Sequence, residues 1–415
     1  MQTIISDAHQ MLSSIIEENM PTQAVASALA SHKFKGHVYL IAIGKAAWTM
    51  AHAASVELGD RLVKGIVITK YGHAQGELPR INIYEAGHPV LDENSILATQ
   101  ECIKLAKELG KDDELLFLVS GGGSALFEAP AQGITLEDIQ NLTEQLLASG
   151  ADIVEINMIR KRLSQVKGGR FAMLAAPCRV FAIVLSDVLG DRLDAIASGP
   201  AAPDSSTAED ALKVVQKYNL ELTDLQRKHL LTETPKQITN VETIITGSVR
   251  TLCQSAEKSA KLLGYTPYVL TTTMDCEAKD AGRLLSSIAA DTCSGKNAFT
   301  RPCAIIAGGE TIVTLKGNGK GGRNQELALS AARGIAGLDD VLIFSLGSDG
   351  TDGPTDAAGG IVDGNSYANL KKQGLDIDKI LANNDAYHGL QAINGLINTG
   401  PTGTNVNDVS VILCR

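Results

Sequence analysis

Short, mostly apolar runs alternate with amphipathic segments along the chain. The first five runs cover residues 37–44, 63–69, 81–86, 115–119 and 179–185. Runs of this length and composition are typical of strands buried on both faces of a sheet. Segments with helical periodicity lie between most of them, giving the order β-α-β-β-α-β. This order predicts a mostly parallel, doubly wound sheet of the Rossmann-like kind.

A polar, helical stretch at about 204–240 separates these runs from a second alternation of strands and helices. The predicted strands of this second region lie at 241–245, 266–271, 304–306, 312–315, 341–346 and 408–413. Residues 3–31, whose helical periodicity breaks at Pro21, precede the first strand. The pattern predicts two α/β domains, residues 1–235 and residues 236–415.

Composition narrows the class of protein. The 415 residues are 44% hydrophobic and 20% charged, and the formal net charge of −10 argues against broad binding to nucleic acids or anionic membranes. The seven cysteines are scattered without a C-x-x-C pair, which suits reduced thiols. The first residues lack the basic and apolar regions of a signal peptide. We therefore expect a cytoplasmic protein, with the choice between monomer and homodimer left open.

The most informative segment follows the run at 115–119. It reads Ser120-Gly121-Gly122-Gly123-Ser124. A single glycine there would indicate only a tight turn, but three between two hydroxyls can bring backbone N–H groups against an anion. The carboxyl ends of strands are also where α/β sheets bind ligands. We interpret residues 120–124 as a phosphate-binding loop.

Lys45 marks a second candidate anion site, because it follows the first predicted strand and Gly44 at the start of a helix. The formal P-loop, G-x-x-x-x-G-K-[ST], is not met. Tyr39 stands where its first glycine belongs and Ala46 where its hydroxyl belongs. A nucleotide would therefore be held by another architecture.

Aspartates at strand ends indicate a magnesium site, since Mg²⁺ prefers a few hard oxygen ligands and substrate phosphates. Asp187 adjoins the strand at 179–185 and is the best candidate, followed by Asp191. Asp349 follows the strand at 341–346 in another Gly/Asp loop, which is alternatively only a turn. Asp187 could instead accept a proton as a base.

A basic cluster stands out in this acidic chain. Its positions are Arg160, Lys161, Arg162, Lys167 and Arg170. Such a run is often a solvated helix face, but beside Gly168-Gly169 it could hold a substrate carboxylate. Arg160, Lys161 and Lys167 are the predicted substrate-binding residues.

A glycine pattern in the second domain allows two interpretations. Gly317, Gly319 and Gly322 spell G-x-G-x-x-G, and Asp349 further on completes the outline of a dinucleotide fingerprint. The turn is crowded, however, with the phosphate or carboxylate donors Lys320, Arg323, Asn324 and Gln325. Arg323 offers a planar fork for an oxyanion. Two lone histidines, His88 and His388, are interpreted as structural.

Several motifs together resemble one family. They are VSGGGSAL (119–126), NMIRKRLSQVKGGR (157–170), LSDVLGD with IASGP (185–200), AGGET (307–311), GGRNQELAL (321–329) and GSDGTDGPTDAAGG (347–360). They resemble class II glycerate kinases, the glycerate 2-kinase family with a C-terminal MOFRL domain. The chain departs from the family in having Arg162 where members often have histidine, which leaves the details of substrate contacts open.

The resemblance implies two α/β domains, the second a smaller MOFRL-type domain with a mixed sheet, and an active site in the cleft between them. It also implies transfer of phosphate from ATP to the 2-hydroxyl of D-glycerate with a divalent metal, and essential roles for Lys45 and Arg323. We expect such a kinase, using ATP and Mg²⁺, with Lys45, Arg323 and Asp187 catalytic. Two alternatives remain: an NAD(P)-dependent hydroxypyruvate reductase built on the G-x-G-x-x-G pattern, and a non-catalytic sensor of a phosphorylated metabolite.

Overall fold

The computed structural model describes residues 3–415, which form two six-stranded sheets flanked by helices. The strands are β1 His37–Ile43, β2 Leu62–Lys70, β3 Ile81–Ala86, β4 Asp113–Val119, β5 Arg179–Leu185, β6 Val241–Gly247, β7 Thr266–Met274, β8 Cys303–Gly309, β9 Val341–Gly347, β10 Gly359–Asp363, β11 Leu396–Ile397 and β12 Asp408–Cys414.

The helices differ widely in length, and none in residues 3–415 is long and apolar enough to cross a membrane. They are α1 Ile4–Glu18, α2 Pro21–Ser31, α3 Ala47–Leu58, α4 Glu93–Glu108, α5 Gly123–Leu126, α6 Leu136–Ala148, α7 Ile153–Arg162, α8 Arg170–Ala175, α9 Ala208–Tyr218, α10 Asp224–Leu230, α11 Val249–Leu262, α12 Ala278–Cys293, α13 Arg323–Ala331, α14 Ser366–Lys372, α15 Ile377–Ala382 and α16 Ala386–Ala392.

The first sheet has the strand order β3-β2-β1-β4-β5-β6. β1 pairs in parallel with β2 and β4, β2 with β3, and β4 with β5. Residues 115–118 at its centre are fully buried, as their unbroken apolar run requires. The prediction of a doubly wound, Rossmann-like sheet is confirmed.

The second sheet has the order β11-β10-β9-β12-β8-β7 and is mixed. Only β7 and β8 pair in parallel among its described strands, and the remaining neighbours pair antiparallel. The expected strand at 312–315 is wrong: Ile312 makes one isolated bridge to Glu277. Ile312 and Leu315 are 57% and 79% exposed, so their apolar side chains point to solvent. The apolar residues at 312–315 therefore do not mark a buried strand.

The chain divides into two compact units. Their limits differ from those of the domains expected from the sequence, residues 1–235 and 236–415. One unit is Pro21–Thr246, and the other joins the segment ending at Met20 to Gly247–Arg415. Two packing facts explain the difference. β6 adds to the edge of the first sheet beside β5, beyond residue 235. Helix α1 packs on α11 of the second unit.

A buried aspartate fastens α1 within this second unit. Asp7 is 1% exposed, its Oδ2 accepts a hydrogen bond of 2.6 Å from the Tyr265 hydroxyl, and it lies 3.3 Å from Nη1 of Arg415. Asn19 adds a 2.9 Å hydrogen bond to Ser255 Oγ. The predicted break at Pro21 is confirmed, and it is also the point at which the chain passes from one unit to the other.

Candidate active site

The order of the strands in the first sheet reverses between β1 and β4, which are neighbours at its centre. The chain proceeds from β1 toward β2 and β3 on one side, and from β4 toward β5 and β6 on the other. Such a switch point leaves a crevice at the carboxyl ends of the strands, where α/β proteins bind ligands. Lys45 follows β1 at this point, and residues 120–124 follow β4.

Backbone and hydroxyl groups tie the two segments together. Ser120 N donates to Ile43 O at 2.9 Å, and Lys45 N donates to Gly121 O at 2.8 Å. The Ser120 hydroxyl donates to Ile43 O and accepts from Ala46 N, both at 3.1 Å. This predicted cofactor-binding hydroxyl is therefore engaged in joining the strand ends, and the loop would bind an anion through its backbone.

The glycines of the loop allow side chains from other strand ends to approach its backbone. A Cβ on Gly121 would lie 2.3 Å from Asp187 Oδ2. A Cβ on Gly122 would lie 3.0 Å from His88 Nε2 and 3.3 Å from Lys45 Cγ. Gly122 also has φ of +86°, a conformation that other residues rarely adopt. Residues that follow β1, β3 and β5 thus converge on the loop that follows β4.

His88 is the site residue that sequence reasoning missed. It follows Gly87 at the end of β3, and desolvation, with the positive charges of Lys45 and Lys70, lowers the pKa of its imidazole below its usual 6.5. The imidazole is consequently neutral at pH 7. Its position two residues beyond the end of a predicted strand was the available signal.

Two of the predicted substrate-binding residues, Lys167 and Arg160, instead donate hydrogen bonds to the backbone of the loop at 120–124. Lys167 is fully buried, and its Nζ donates to Ser124 O at 2.8 Å and to Phe127 O at 2.9 Å. Its Nζ also lies 3.3 Å from Oε2 of the buried Glu128. Burial lowers the pKa of Lys167 to about 8, although the Glu128 carboxylate opposes the shift. Arg160 Nη2 donates to the same Ser124 carbonyl at 2.9 Å.

Lys161 lies in a buried ion pair and not at the surface of a basic face. Its Nζ is 3.0 Å from Asp204 Oδ1 and 3.4 Å from Asp194 Oδ2. Burial raises the pKa of Asp204, but the Lys161 charge and hydrogen bonds outweigh it and hold the value below the usual range. These placements argue against direct contact of Lys161 or Lys167 with substrate. The buried Nε of Arg160 has no hydrogen-bond partner among residues 3–415, so Arg160 remains the candidate for such a contact.

The predicted metal ligands Asp187, Asp191 and Asp349 are divided between the two units. Asp187 lies against Gly121, whereas Asp349 belongs to the other unit, where its Oδ1 accepts a 3.1 Å hydrogen bond from Thr351 N. Asp191 follows in the loop after Asp187, with φ of 54°. In the described part of the chain, no group of three or more His, Cys, Asp or Glu side chains is arranged to hold a metal ion. Because Mg²⁺ commonly uses one or two carboxylates plus phosphate oxygens, Asp187 still fits that role.

Arg323 opens helix α13 in the second unit and is held by two carboxylates. Its Nε and Nη2 donate to the two oxygens of Asp408 at 2.6 and 3.1 Å, and Nη1 donates to Glu310 at 2.9 Å. Burial raises the pKa of Asp408 to about 6, and the Arg323 guanidinium limits the rise. The planar fork predicted from sequence is thus fixed in one orientation, with its side chain one-third exposed.

The G-x-G-x-x-G pattern is explained by close backbone packing. A Cβ on Gly317 would lie 2.4 Å from Asn383 Cα, and one on Gly319 would lie 2.5 Å from Asn383 O. The start of α13, where a dinucleotide would place its pyrophosphate, is already capped by Asp352. The Asp352 carboxylate accepts from the backbone N–H groups of residues 324 and 325 at 3.1 and 2.8 Å. This arrangement does not fit the dinucleotide interpretation.

These features define a two-unit α/β protein with a candidate site at the switch point of its parallel sheet. A domain of unknown function, DUF4147, matches residues 7–231, and the MOFRL family matches residues 303–408. The D-glycerate 2-kinase of Thermotoga maritima is 52% identical over 404 residues, covering 97% of each chain. The chain belongs to the MOFRL-containing glycerate kinase family, and the resemblance seen in its motifs is confirmed.

A solved structure shares the fold, and a more distant relative carries a different name. A crystal structure of Thermotoga maritima glycerate kinase matches with a TM-score of 0.96 and 52% identity, over 99% of both chains. A relative from Agrobacterium vitis that carries a provisional hydroxypyruvate reductase name is 40% identical over 385 residues, covering 91% of this chain and 99% of its own. The two names correspond to the two enzyme activities that the sequence suggested.

Proposed function

We propose that this protein is a glycerate 2-kinase, which transfers the γ-phosphoryl group of ATP to the 2-hydroxyl of D-glycerate and yields 2-phosphoglycerate and ADP. The observation that carries the proposal is the convergence of Lys45, His88 and Asp187 on the glycine loop at the switch point. The names of the similar kinases supply the substrate.

Phosphoryl transfer requires positioning and charge stabilisation more than covalent chemistry from the protein. In our proposal the backbone of residues 120–124 binds nucleotide phosphate, and Lys45 stabilises negative charge on the transferred group. Arg323 is assigned the same role by the family resemblance. Arg160, whose remaining donors have no salt bridge within residues 3–415, is proposed to bind the glycerate carboxylate.

Mg²⁺ is proposed as the metal, with Asp187 as its first ligand and Asp191 or Asp349 as the second. The carboxylate of Asp187 supplies hard oxygen atoms beside the proposed phosphate loop, which is the donor type that Mg²⁺ prefers. Bound Mg²⁺ would offset charge on the nucleotide phosphates. Lys45 and the loop backbone would still determine where those phosphates lie.

The test is a ³¹P NMR time course with ATP, Mg²⁺ and D-glycerate, beside an NADH absorbance trace with hydroxypyruvate. We expect a growing 2-phosphoglycerate resonance and constant NADH. Lys45→Met should abolish turnover, whereas Lys107→Met, at an exposed lysine of α4, should not change it. A silent phosphorus spectrum with falling NADH would replace the kinase with the reductase. Tight binding of 2-phosphoglycerate in calorimetry without either reaction would favour the sensor.

A further inference from the structure

We propose that His88 is the general base of the phosphoryl transfer, its Nε2 accepting the proton of the glycerate 2-hydroxyl as that oxygen attacks the γ-phosphorus. This inference rests on the proposed function and adds a catalytic residue to it.

The position of the imidazole is the main support. A Cβ on Gly122 would lie 2.9 Å from His88 Cδ2 and 3.0 Å from Nε2, so the Cδ2–Nε2 edge of the ring faces the glycine loop. The same added atom would lie 3.3 Å from Lys45 Cγ. The ring edge therefore meets the loop where the proposed phosphate-stabilising lysine also approaches it. A substrate hydroxyl attacking a phosphate held there would come within reach of Nε2.

The charged surroundings of the ring favour the neutral form that a base requires. Desolvation contributes most to lowering the pKa of His88, and Lys45, Lys70 and His73 add to the effect. Lys70 ends β2, and His73 lies beyond it with its Nδ1 3.1 Å from the Lys45 carbonyl oxygen. Asp187 approaches the loop at the adjacent Gly121. A general base must be unprotonated at the working pH, and the lowered pKa keeps this imidazole mainly neutral near pH 7.

Asp187 is the competing candidate for this role. Aspartate oxygen atoms are, however, the ligands that Mg²⁺ prefers. The two residues approach adjacent glycines, Asp187 at Gly121 and His88 at Gly122. A division of labour follows, in which Asp187 binds the metal and His88 takes the proton.

The chemical balance of the step is simple. The bond between the 2-oxygen and the γ-phosphorus forms, the bond between that phosphorus and the bridging oxygen breaks, and ADP leaves with the electron pair. The hydroxyl proton moves to Nε2 of His88 and then to solvent. No oxidation or reduction occurs. General bases of this kind contribute roughly 10²–10⁴-fold to the rate.

The experiment compares kcat and KM for glycerate between pH 5 and 9 in the wild-type protein, His88→Gln and Asp187→Asn. Glutamine retains a hydrogen-bonding group but cannot take a proton. We expect kcat of His88→Gln to fall by roughly 10²–10⁴-fold, with KM changed only a few-fold. The acid limb of the wild-type kcat/KM profile reports groups of the free protein, so its midpoint should lie below the usual histidine pKa. This limb should disappear in His88→Gln and persist in Asp187→Asn.

Two controls separate catalysis from folding. His388→Gln removes a histidine that is 59% exposed and paired with Asp385, and it should leave kcat unchanged. Added imidazole should partly restore turnover to His88→Ala. The base assignment is wrong if His88→Gln keeps the wild-type kcat. It is also wrong if His88→Gln loses activity but keeps the acid limb, and added imidazole does not restore turnover to His88→Ala. Wild-type protein that forms no 2-phosphoglycerate would instead overturn the proposed function itself, and the base assignment with it.

Discussion

The buried pair of Lys167 and Glu128 gives the sharpest test of how the phosphate loop is supported. Both side chains are fully buried, and Lys167 Nζ bonds the carbonyls of Ser124 and Phe127 as well as approaching Glu128 at 3.3 Å. Lys167→Met keeps the apolar stem and removes all three interactions. It also leaves the Glu128 carboxylate buried without its ion-pair partner. Breaking such a pair on one side commonly costs about 3–5 kcal/mol.

Replacing both partners should cost far less. In Lys167→Met/Glu128→Gln no charge of the pair remains buried, and exchange of a buried ion pair for neutral groups is often close to neutral in stability. We therefore expect the double variant to recover about 2–3 kcal/mol relative to Lys167→Met. Guanidinium denaturation measures this recovery, and Lys107→Met on the surface of α4 is the matched control with little expected change. A double variant no more stable than Lys167→Met would refute the reasoning.

The pH dependence of stability provides an independent check. The pKa of Lys167 is about 8 in the folded protein and 10.5 in its unperturbed form. Burial thus disfavours the protonated form by roughly 3 kcal/mol below pH 8. That cost is relieved as pH rises from about 8 to 10.5, because the neutral amine then predominates in the folded state. The stability of wild-type protein relative to Lys167→Met should rise across this window, and a flat difference would contradict the burial argument.

Three further substitutions test the loops. Gly121→Ala would place a Cβ 2.3 Å from Asp187 Oδ2, so we expect at least a tenfold lower kcat/KM for ATP with a nearly unchanged melting temperature; unaltered steady-state kinetics would contradict this. Arg323→Lys loses the planar bidentate fork and should lower kcat by about 10²-fold, and wild-type turnover would remove Arg323 from the mechanism. Gly319→Ala would bring a Cβ within 2.5 Å of Asn383 O. It should lower the stability measured in thermal denaturation by about 1–3 kcal/mol. Unchanged stability would show that backbone packing does not require this glycine.

The sequence was most informative where a signal was local. Mostly apolar runs located five of the six strands of the first sheet, and the residues after them located Lys45, Asp187 and the loop at 120–124. Parallel strands bring their carboxyl ends to one edge, so residues far apart in the chain could be expected near each other. Because β1 and β4 are adjacent in the sheet, Lys45 and Gly121 are joined by a backbone hydrogen bond.

Features that depend on distant partners could not be read in the same way. The burial of Lys161 and Lys167 rests on Asp204 and Glu128, each more than 35 positions away along the chain. A run of basic residues looks the same whether its partners are water, substrate or buried carboxylates. His88 likewise appeared isolated because its neighbours come from other strand ends. Helix α1 could not be assigned to the second unit, since its contacts with α11 join opposite parts of the sequence.

The two glycine-rich loops show why the same residue type can serve chemistry in one place and packing in another. At Gly121 and Gly122 the space that a Cβ would occupy adjoins the side chains of Asp187, His88 and Lys45, which carry acid-base or charge-stabilising groups. At Gly317 and Gly319 it adjoins the segment 383–385, and at Gly322 it adjoins the carboxylate that caps α13. At the second loop a phosphate would have to displace the packed backbone segment and the capping carboxylate. The identity of the approaching atoms, more than the glycine spacing, therefore favours a phosphoryl-transfer site in the first unit over a dinucleotide site in the second.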